Sequence, residues 1–328
     1  MTPTLADILA ARRAIAGTAI RTPLIPSARA PELLLKLELA QPTGAFKLRG
    51  ALNAVAQLPA DARGVTCCST GNHGRAVAFA ARARGLRAVV CMSGLVPEAK
   101  VAAIRALGAE ARIVGRSQDE AGAESARLAA EEGLAEIPPF DDARVIAGQG
   151  TVGLELVEDR PDLAAVLVPL SGGGLAAGVA LAVKAANPAI RVVGVSMDRG
   201  AAMHAAFQAG HPVPVEEVAS LADSLGGGLG PDNRLTYTLC RALLDDVLLV
   251  TEAEIGRAMQ AHFREDRLVT EGAAATPLAA ILAGRFTPTG PTALILTGRN
   301  TDMDQFARVV TGQPVALGPL TVGGPDAA

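Results

Sequence analysis

Val166-Leu-Val-Pro-Leu-Ser-Gly-Gly-Gly-Leu-Ala-Ala-Gly178 runs from an apolar stretch into three glycines and then into a helix-forming segment. It predicts a strand, a tight turn and a helix, in that order. Backbone N–H groups at such a helix start can cradle a phosphate, although a plain tight turn accounts for a glycine run equally well. Outward from this unit the same alternation repeats. Leu33–Glu38, Val65–Cys68, Ala88–Met92, Ala111–Gly115, Arg191–Ser196, Asp246–Val250 and Thr292–Leu296 read as strands. Helical periodicity lies between them, as in Ala76–Arg84 and Ser117–Glu132, and Thr251-Glu-Ala-Glu254 is a capping-box start for a helix through Phe263. Such alternation predicts an α/β fold with parallel-rich sheets covered by helices. Only the tail after Gln313, rich in Pro and Gly, reads as loose.

Two further segments carry candidate chemistry. In Pro42-Thr-Gly-Ala-Phe-Lys-Leu-Arg-Gly50 a lysine follows a phenylalanine, close behind the apolar run Leu33–Leu37. Gly44 and Gly50 allow tight turns there. A lysine held at the edge of a core loses its proton easily and becomes a nucleophile, because desolvation disfavours the ammonium form. The alternative is a loop lysine that snorkels to solvent. In Cys67-Cys-Ser-Thr-Gly-Asn-His-Gly-Arg75 a strand-to-helix turn is crowded with small hydrogen-bonding side chains. Its free amides suit an anion such as a carboxylate. An ordinary N-cap by Ser69, Thr70 or Asn72 would explain one polar residue but not Ser-Thr-Gly-Asn-His in a row.

Composition narrows the class without deciding it. Of 328 residues half are hydrophobic, Trp is absent and aromatics make up 2 %, so alanine and aliphatics must fill the core. A net charge of −3 argues against a nucleic-acid or anionic-membrane partner. Cys67, Cys68, Cys91 and Cys240 show no metal spacing; the first three read as small buried hydrophobes in a reducing compartment. Met1-Thr-Pro-Thr-Leu-Ala-Asp7 has no signal-peptide layout, and no apolar stretch reaches the roughly 18 residues of a membrane span. A soluble cytoplasmic protein is the expectation.

Taken in order, Arg21-Thr-Pro-Leu24, Gly44-Ala-Phe-Lys47, Ser69-Thr-Gly-Asn-His-Gly74, Val145-Ile-Ala-Gly-Gln-Gly-Thr151, Ser171-Gly-Gly-Gly174, Ala222-Asp-Ser224 and Thr297-Gly-Arg-Asn300 resemble the fold-type II pyridoxal-phosphate enzymes. Within these the resemblance is to the threonine dehydratase and serine racemase group. Ser220–Gly228 and Thr297–Met303 look most like its hydroxyectoine-utilisation dehydratases. The resemblance implies a two-domain fold, tryptophan synthase β-like, with residues 1–64 plus 148–328 as the large cofactor-binding domain and 65–147 as the small one. It implies pyridoxal phosphate as cofactor, an amino acid as small-molecule substrate, and a homodimer. The activity implied is β-elimination from a β-hydroxy-L-amino acid such as threonine, serine or 3-hydroxyaspartate, giving a 2-oxo acid and ammonia.

The resemblance also implies roles. Lys47 would carry the cofactor covalently and move the α-proton. Phe46 would pack on the cofactor ring, and Asn72 would hydrogen-bond its 3′-oxygen. Ser69, Thr70 and His73, with Asn72 beside them, would hold the substrate carboxylate. Gly172, Gly173, Gly174 and Leu175 would offer amides to the phosphate, with the Ser171 hydroxyl adding a bond. Thr297 would face the pyridine nitrogen, and a neutral hydroxyl there makes a weaker electron sink than a carboxylate partner would, which favours elimination over transamination.

Departures matter too. Ser196 and Ala202 stand where racemase-like members place acidic ligands for a divalent cation, and hard cations need several oxygens, so no metal is expected. Thr70 stands where racemases use a serine hydroxyl as second acid-base group, which makes racemase activity the alternative reading. No regulatory domain is expected after Ala328. A dinucleotide site from Gly172, Gly174, Gly178 and Asp198 leaves Lys47 and Asn72 unexplained. Arg127 is a candidate for a substrate's distal carboxylate, because an arginine at the matching position of racemase-like members faces the active site. Its alternative is a surface arginine paired with Glu124 or Glu131 at helical spacing.

Overall fold

The computed structural model describes residues 1–69, 71–96 and 98–323. Its strands, in chain order, are β1 (Leu24–Pro26), β2 (Leu33–Lys36), β3 (Val65–Cys68), β4 (Ala88–Met92), β5 (Glu110–Ile113), β6 (Ala135–Glu136), β7 (Ala165–Pro169), β8 (Arg191–Met197), β9 (Asp246–Val250), β10 (Thr292–Ile295), β11 (Val315–Leu317) and β12 (Leu320–Val322). One six-stranded sheet has the order β1-β2-β10-β7-β8-β9, and a four-stranded sheet has the order β5-β4-β3-β6. All neighbours in both sheets are parallel except β1, which runs antiparallel to β2. Strands β11 and β12 form a separate hairpin.

Burial explains why the central strands are apolar at successive positions. In β7, Leu167 packs with Leu35, Val193 and Leu294 against the helices Glu252–Ala261 and Gly272–Leu282. Its neighbours Val166 and Val168 join Leu34, Val192 and Ile295 under the helices Ala143–Asp159 and Gly174–Ala186 on the other face. A strand covered on both faces has no position to give to polar side chains. The smaller sheet behaves likewise: Cys67, Val90 and Met92 face the helices Lys47–Ala56 and Asn72–Ala83, while Val89 and Cys91 face Gln118–Glu132. Cys67 and Cys91 are buried as expected, as is Cys240, whereas Cys68 is only partly buried.

Several predicted boundaries shift by a residue or two. Thr251 caps its helix through the anticipated box with Glu254. The predicted helix from Ser117 begins one residue later because Ser117 is itself the cap, paired with Glu120. The segment around Lys47 differs more. Lys47 is the first residue of a helix, not part of a loop. No helix among the described residues is long and apolar enough to cross a membrane.

Two glycines decide how closely the helices approach. A Cβ on Gly178 would lie 2.6 Å from the Gly150 amide nitrogen, so the helices Ala143–Asp159 and Gly174–Ala186 cross backbone to backbone only because both residues lack one. Gly178 lies in the first turns of the helix that the Ser171–Gly174 turn opens.

Beneath the Lys47 helix lies a charged cluster closed to solvent. Arg49 donates through Nε to Glu38 Oε2 (2.8 Å), through Nη2 to Glu38 Oε1 (2.7 Å) and through Nη1 to Glu155 Oε1 (2.6 Å). Lys36 Nζ donates to Glu155 Oε2 (2.5 Å) and to the Thr22 carbonyl (2.7 Å). Burial alone would raise the Glu38 carboxyl, but Arg49 more than offsets this and holds it below its ordinary value. Residues two apart on a helix do not share a face. Arg49 therefore anchors the first turn from below while Lys47 projects elsewhere.

Candidate active site

The turns following β3, β7 and β10 all lie at the carboxyl ends of parallel strands, the usual place for a site in such sheets. They converge on a cavity of about 310 Å³. Phe46, Lys47, Ser69, Asn72 and His73 line it from one side of the sequence, and Ser171, Gly172, Gly173, Gly174, Leu175 and Thr297 from the other. Residues more than 200 positions apart thus share one wall, as the segment readings anticipated.

Lys47 is partly buried and its Nζ donates to the Pro139 carbonyl at 2.7 Å. Burial brings its amine down to about 8, against the opposing pull of the Glu271 carboxylate. An amine near that value carries a free lone pair in about one molecule in ten at pH 7, far more often than an ordinary lysine. Phe46 is pinned by its amide, which donates to the Thr297 carbonyl at 3.0 Å. The Thr297 hydroxyl is buried in the cavity wall and has no hydrogen-bond partner among the described residues. A buried hydroxyl without a partner is costly unless a ligand supplies one.

The two helix starts differ from simple capped turns. Gly71 is the N-cap of Asn72–Ala83, with no side-chain cap, and Ser69 Oγ instead accepts from the Gly71 amide at 3.3 Å. Gly173, at φ 86°, is the N-cap of Gly174–Ala186, again with no side-chain cap. First-turn amides have no intrahelical acceptor, so both starts present N–H groups to the cavity. The cradle tolerates nothing larger than glycine: a Cβ at Gly172 would run into the Phe140 ring, and one at Gly173 would lie 2.7 Å from Met203 Cε.

His73 is buried. Its Nε2–H donates to the Ile137 carbonyl at 2.7 Å, and its Nδ1 has no partner among the described residues. Burial, reinforced by Lys47, brings the imidazole down to about 3, against the Ile137 carbonyl. It is neutral at physiological pH, so it can accept a hydrogen bond at Nδ1 but cannot serve as a cationic anchor.

Thr70 lies outside the described residues. Arg127 requires a correction. It sits on the exposed face of Gln118–Glu132, bonded to Glu124 (2.8 Å) and Glu131 (2.7 Å), and does not line the cavity. Helical spacing to two glutamates, not a substrate, accounts for it. Asp198, which a dinucleotide site would need, opens onto a separate recess with Arg199 and His204. Ser196 is buried within β8 and Ala202 is buried at the start of Ala202–Ala209. Among the described residues, no group of three or more His, Cys, Asp or Glu side chains is placed to hold a metal ion.

The cavity also contains Glu271 and Phe140, which no motif announced. Arg75, Asn300, Asp223 and Ser224, which lie in the motif segments without an assigned role, line it too. Glu271 precedes an alanine-rich helix and looks in sequence like an ordinary helix-start acid.

A lysine of lowered basicity, two uncapped helix starts and a buried hydroxyl unpartnered among the described residues share this cavity, features that suit a phosphate-bearing carbonyl cofactor. Agreeing with this, the family model described as "Pyridoxal-phosphate dependent enzyme" matches residues 15–298, and the chain belongs to that family. A putative threonine dehydratase of Sinorhizobium fredii is 58 % identical over 293 residues, 87 % of this chain and 88 % of that protein. Among solved structures, the processed form of threonine deaminase isoform 2 from Solanum lycopersicum superposes with a TM-score of 0.87 at 32 % identity, covering 94 % of this chain and 91 % of the other. Maize serine racemase superposes equally well, with a TM-score of 0.87 at 32 % identity over 95 % and 98 %.

Proposed function

We propose that this chain is a pyridoxal-phosphate-dependent ammonia-lyase that removes the hydroxyl and amino groups of a β-hydroxy-L-amino acid, releasing a 2-oxo acid and ammonia. The observation that carries this reading is the convergence of Lys47, the glycine cradle and the buried Thr297 hydroxyl on one cavity, where burial lowers the Lys47 amine. Similarity to a threonine dehydratase at 58 % identity supports elimination over racemisation.

Pyridoxal phosphate, when bound, supplies a carbonyl that joins to an amine and an electron-poor ring that draws charge from the α-carbon. The chain's own residues then have distinct tasks. Lys47 holds the cofactor and, once displaced, takes the α-proton. The amides of Gly172 to Leu175, with Ser171, bind the phosphate. Phe46 packs on the ring, and Thr297 gives the ring nitrogen a neutral partner. Asn72 donates to the ring's 3′-oxygen. Ser69, Thr70 and the neighbouring helix-start amides hold the substrate carboxylate, with neutral His73 behind them. The segment 65–147 acts as a small domain that carries the carboxylate turn toward a large domain made of 1–64 and 148–328. The working form is a cytoplasmic homodimer.

The decisive measurement is ammonia and 2-oxo acid release from a panel comprising threonine, serine, 3-hydroxyaspartate and phenylserine. Release from none of them, with equal interconversion of serine enantiomers, would replace this reading with the racemase. Two expected results follow from the site. Arg127→Ala should leave the ratio of catalytic efficiencies on threonine and threo-3-hydroxyaspartate unchanged, because its guanidinium is paired outside the cavity. A shifted ratio would place it back at the substrate. Because Ser196 and Ala202 supply no carboxylate, chelation of magnesium and calcium should leave turnover within about twofold of untreated enzyme. Strong inactivation that either cation reverses would contradict this.

A further inference from the structure

Glu271 is 3 % exposed and stands in the cavity wall, yet its hydrogen-bond donors are neutral. Asn72 Nδ2 donates to both carboxylate oxygens, at 3.1 and 3.0 Å, and Ser224 Oγ donates at 3.4 Å. The other end of the same amide is held too. Asn72 Oδ1 accepts from Asn300 Nδ2 at 2.7 Å, and Asn300 Nδ2 also donates to the Thr43 carbonyl at 2.8 Å. A carboxylate only accepts, so it decides which way round the amide sits: Nδ2 faces Glu271 and Oδ1 faces Asn300.

We propose that Glu271 is a positioning residue for the cofactor, fixing the Asn72 amide so that its N–H group, not its carbonyl, meets the ring's 3′-oxygen. This rests on the reading of Asn72 as the partner of that oxygen. Without the carboxylate only the Asn300 contact opposes a half-turn of the amide, and its Nδ2 is shared with the Thr43 carbonyl. The turned amide would set an acceptor against a ring oxygen that carries negative charge.

The electrostatics make the device sensitive to pH. Burial raises the Glu271 carboxyl to about 7, Asn72 opposes that rise and Asp223 adds to it. The cations that feel its field are Lys47 and Arg75, the latter half-buried and bonded only weakly to Asn300 Oδ1 at 3.4 Å. Below about pH 7 Glu271 gains a proton and loses an acceptor site, so its hold on Asn72 weakens.

The test uses the holoenzyme and reads the bound cofactor, not turnover. Visible absorbance is followed from about pH 6 to about pH 8, and the cofactor's release rate is measured after dilution. The parent should show a spectral step with its midpoint near 7. Glu271→Gln should lose that step and release cofactor roughly tenfold faster, as expected when a hydrogen bond to a charged group is lost. Asn72→Ala should do the same, and the double variant should add nothing further, since both act through one contact. If Asn72→Ala alters both readouts and Glu271→Gln alters neither, Glu271 does not position the amide. Fully additive losses in the double variant would overturn the proposal as well. If Asn72→Ala itself changes nothing, the reading of Asn72 fails and takes this proposal with it. Should Glu271→Gln not fold, as judged by circular dichroism, Glu271→Asp replaces it; its retracted carboxylate should give the same faster release, and parental release would count against the proposal.

Discussion

Lys47→Ala is expected to lower ammonia release by roughly 10³-fold or more while leaving the far-ultraviolet circular dichroism unchanged. No neighbour can substitute. His73 is neutral with its Nε2–H given to Ile137, and Glu271 is a carboxyl whose oxygens are taken up by Asn72 and Ser224. The fold should survive because Lys47 is a burden on it. An amine brought from 10.5 to about 8 by burial costs stability as long as both folded and unfolded chains keep it charged, below about pH 8. That cost disappears as the pH rises from about 8 toward the ordinary lysine value. The cofactor-free variant should therefore be at least as stable as the cofactor-free parent near neutral pH, with the difference shrinking in alkali. Near-normal deamination by the variant would defeat the functional assignment as a whole.

Arg49→Ala should have the largest effect on stability, a loss of about 3–5 kcal/mol in denaturant unfolding near pH 7. Arg49 is 1 % exposed and its guanidinium serves both Glu38 and Glu155. Its removal strands one buried carboxylate beside a single remaining cation, Lys36, which is already bonded to Glu155. A second replacement separates charge from packing: Arg49→Met with Glu38→Gln should recover much of the loss, because no uncompensated charge remains. If the single variant loses less than about 1 kcal/mol, the cluster does not hold the Lys47 helix as described. Since Glu38 is held below its ordinary value, its contribution is present above the ordinary carboxylate pKa and fades as pH falls through the depressed one.

What could be seen in the sequence was whatever the chain states contiguously. The turn segments after β3 and β7 each compress a strand end, a turn and a helix start into a few residues, and Ser69, Gly71, Asn72 and His73 line the cavity with Ser171–Gly174. Lys47 was legible through its apolar surroundings, although its place at the head of a helix was not, because Gly44 and Gly50 point toward a loop. Glu271 was invisible for a different reason. Nothing nearby marks it, and its environment is built by Asn72, some 200 residues earlier. Phe140 likewise gains meaning only from the missing side chains of Gly172 and Gly174. Arg127 shows the opposite error, in which a matching position suggested the cavity while Glu124 and Glu131, at helical spacing, already offered the partners it has.

The pairing of β2 with β10 joins residues 33–36 to residues 292–295, whereas the four-stranded sheet is drawn entirely from residues 65–136. On a ribosome the smaller sheet can close early, long before synthesis ends. The larger one must wait, holding Leu33, Leu34 and Leu35 as an apolar edge until the distant strand Thr292–Ile295 has been made. A nascent chain halted before Thr292 carries that edge unpaired, where strands of other molecules can add to it. The topology that brings Lys47 and Thr297 into one cavity thus makes synthesis of Thr292–Ile295 the step on which escape from aggregation depends.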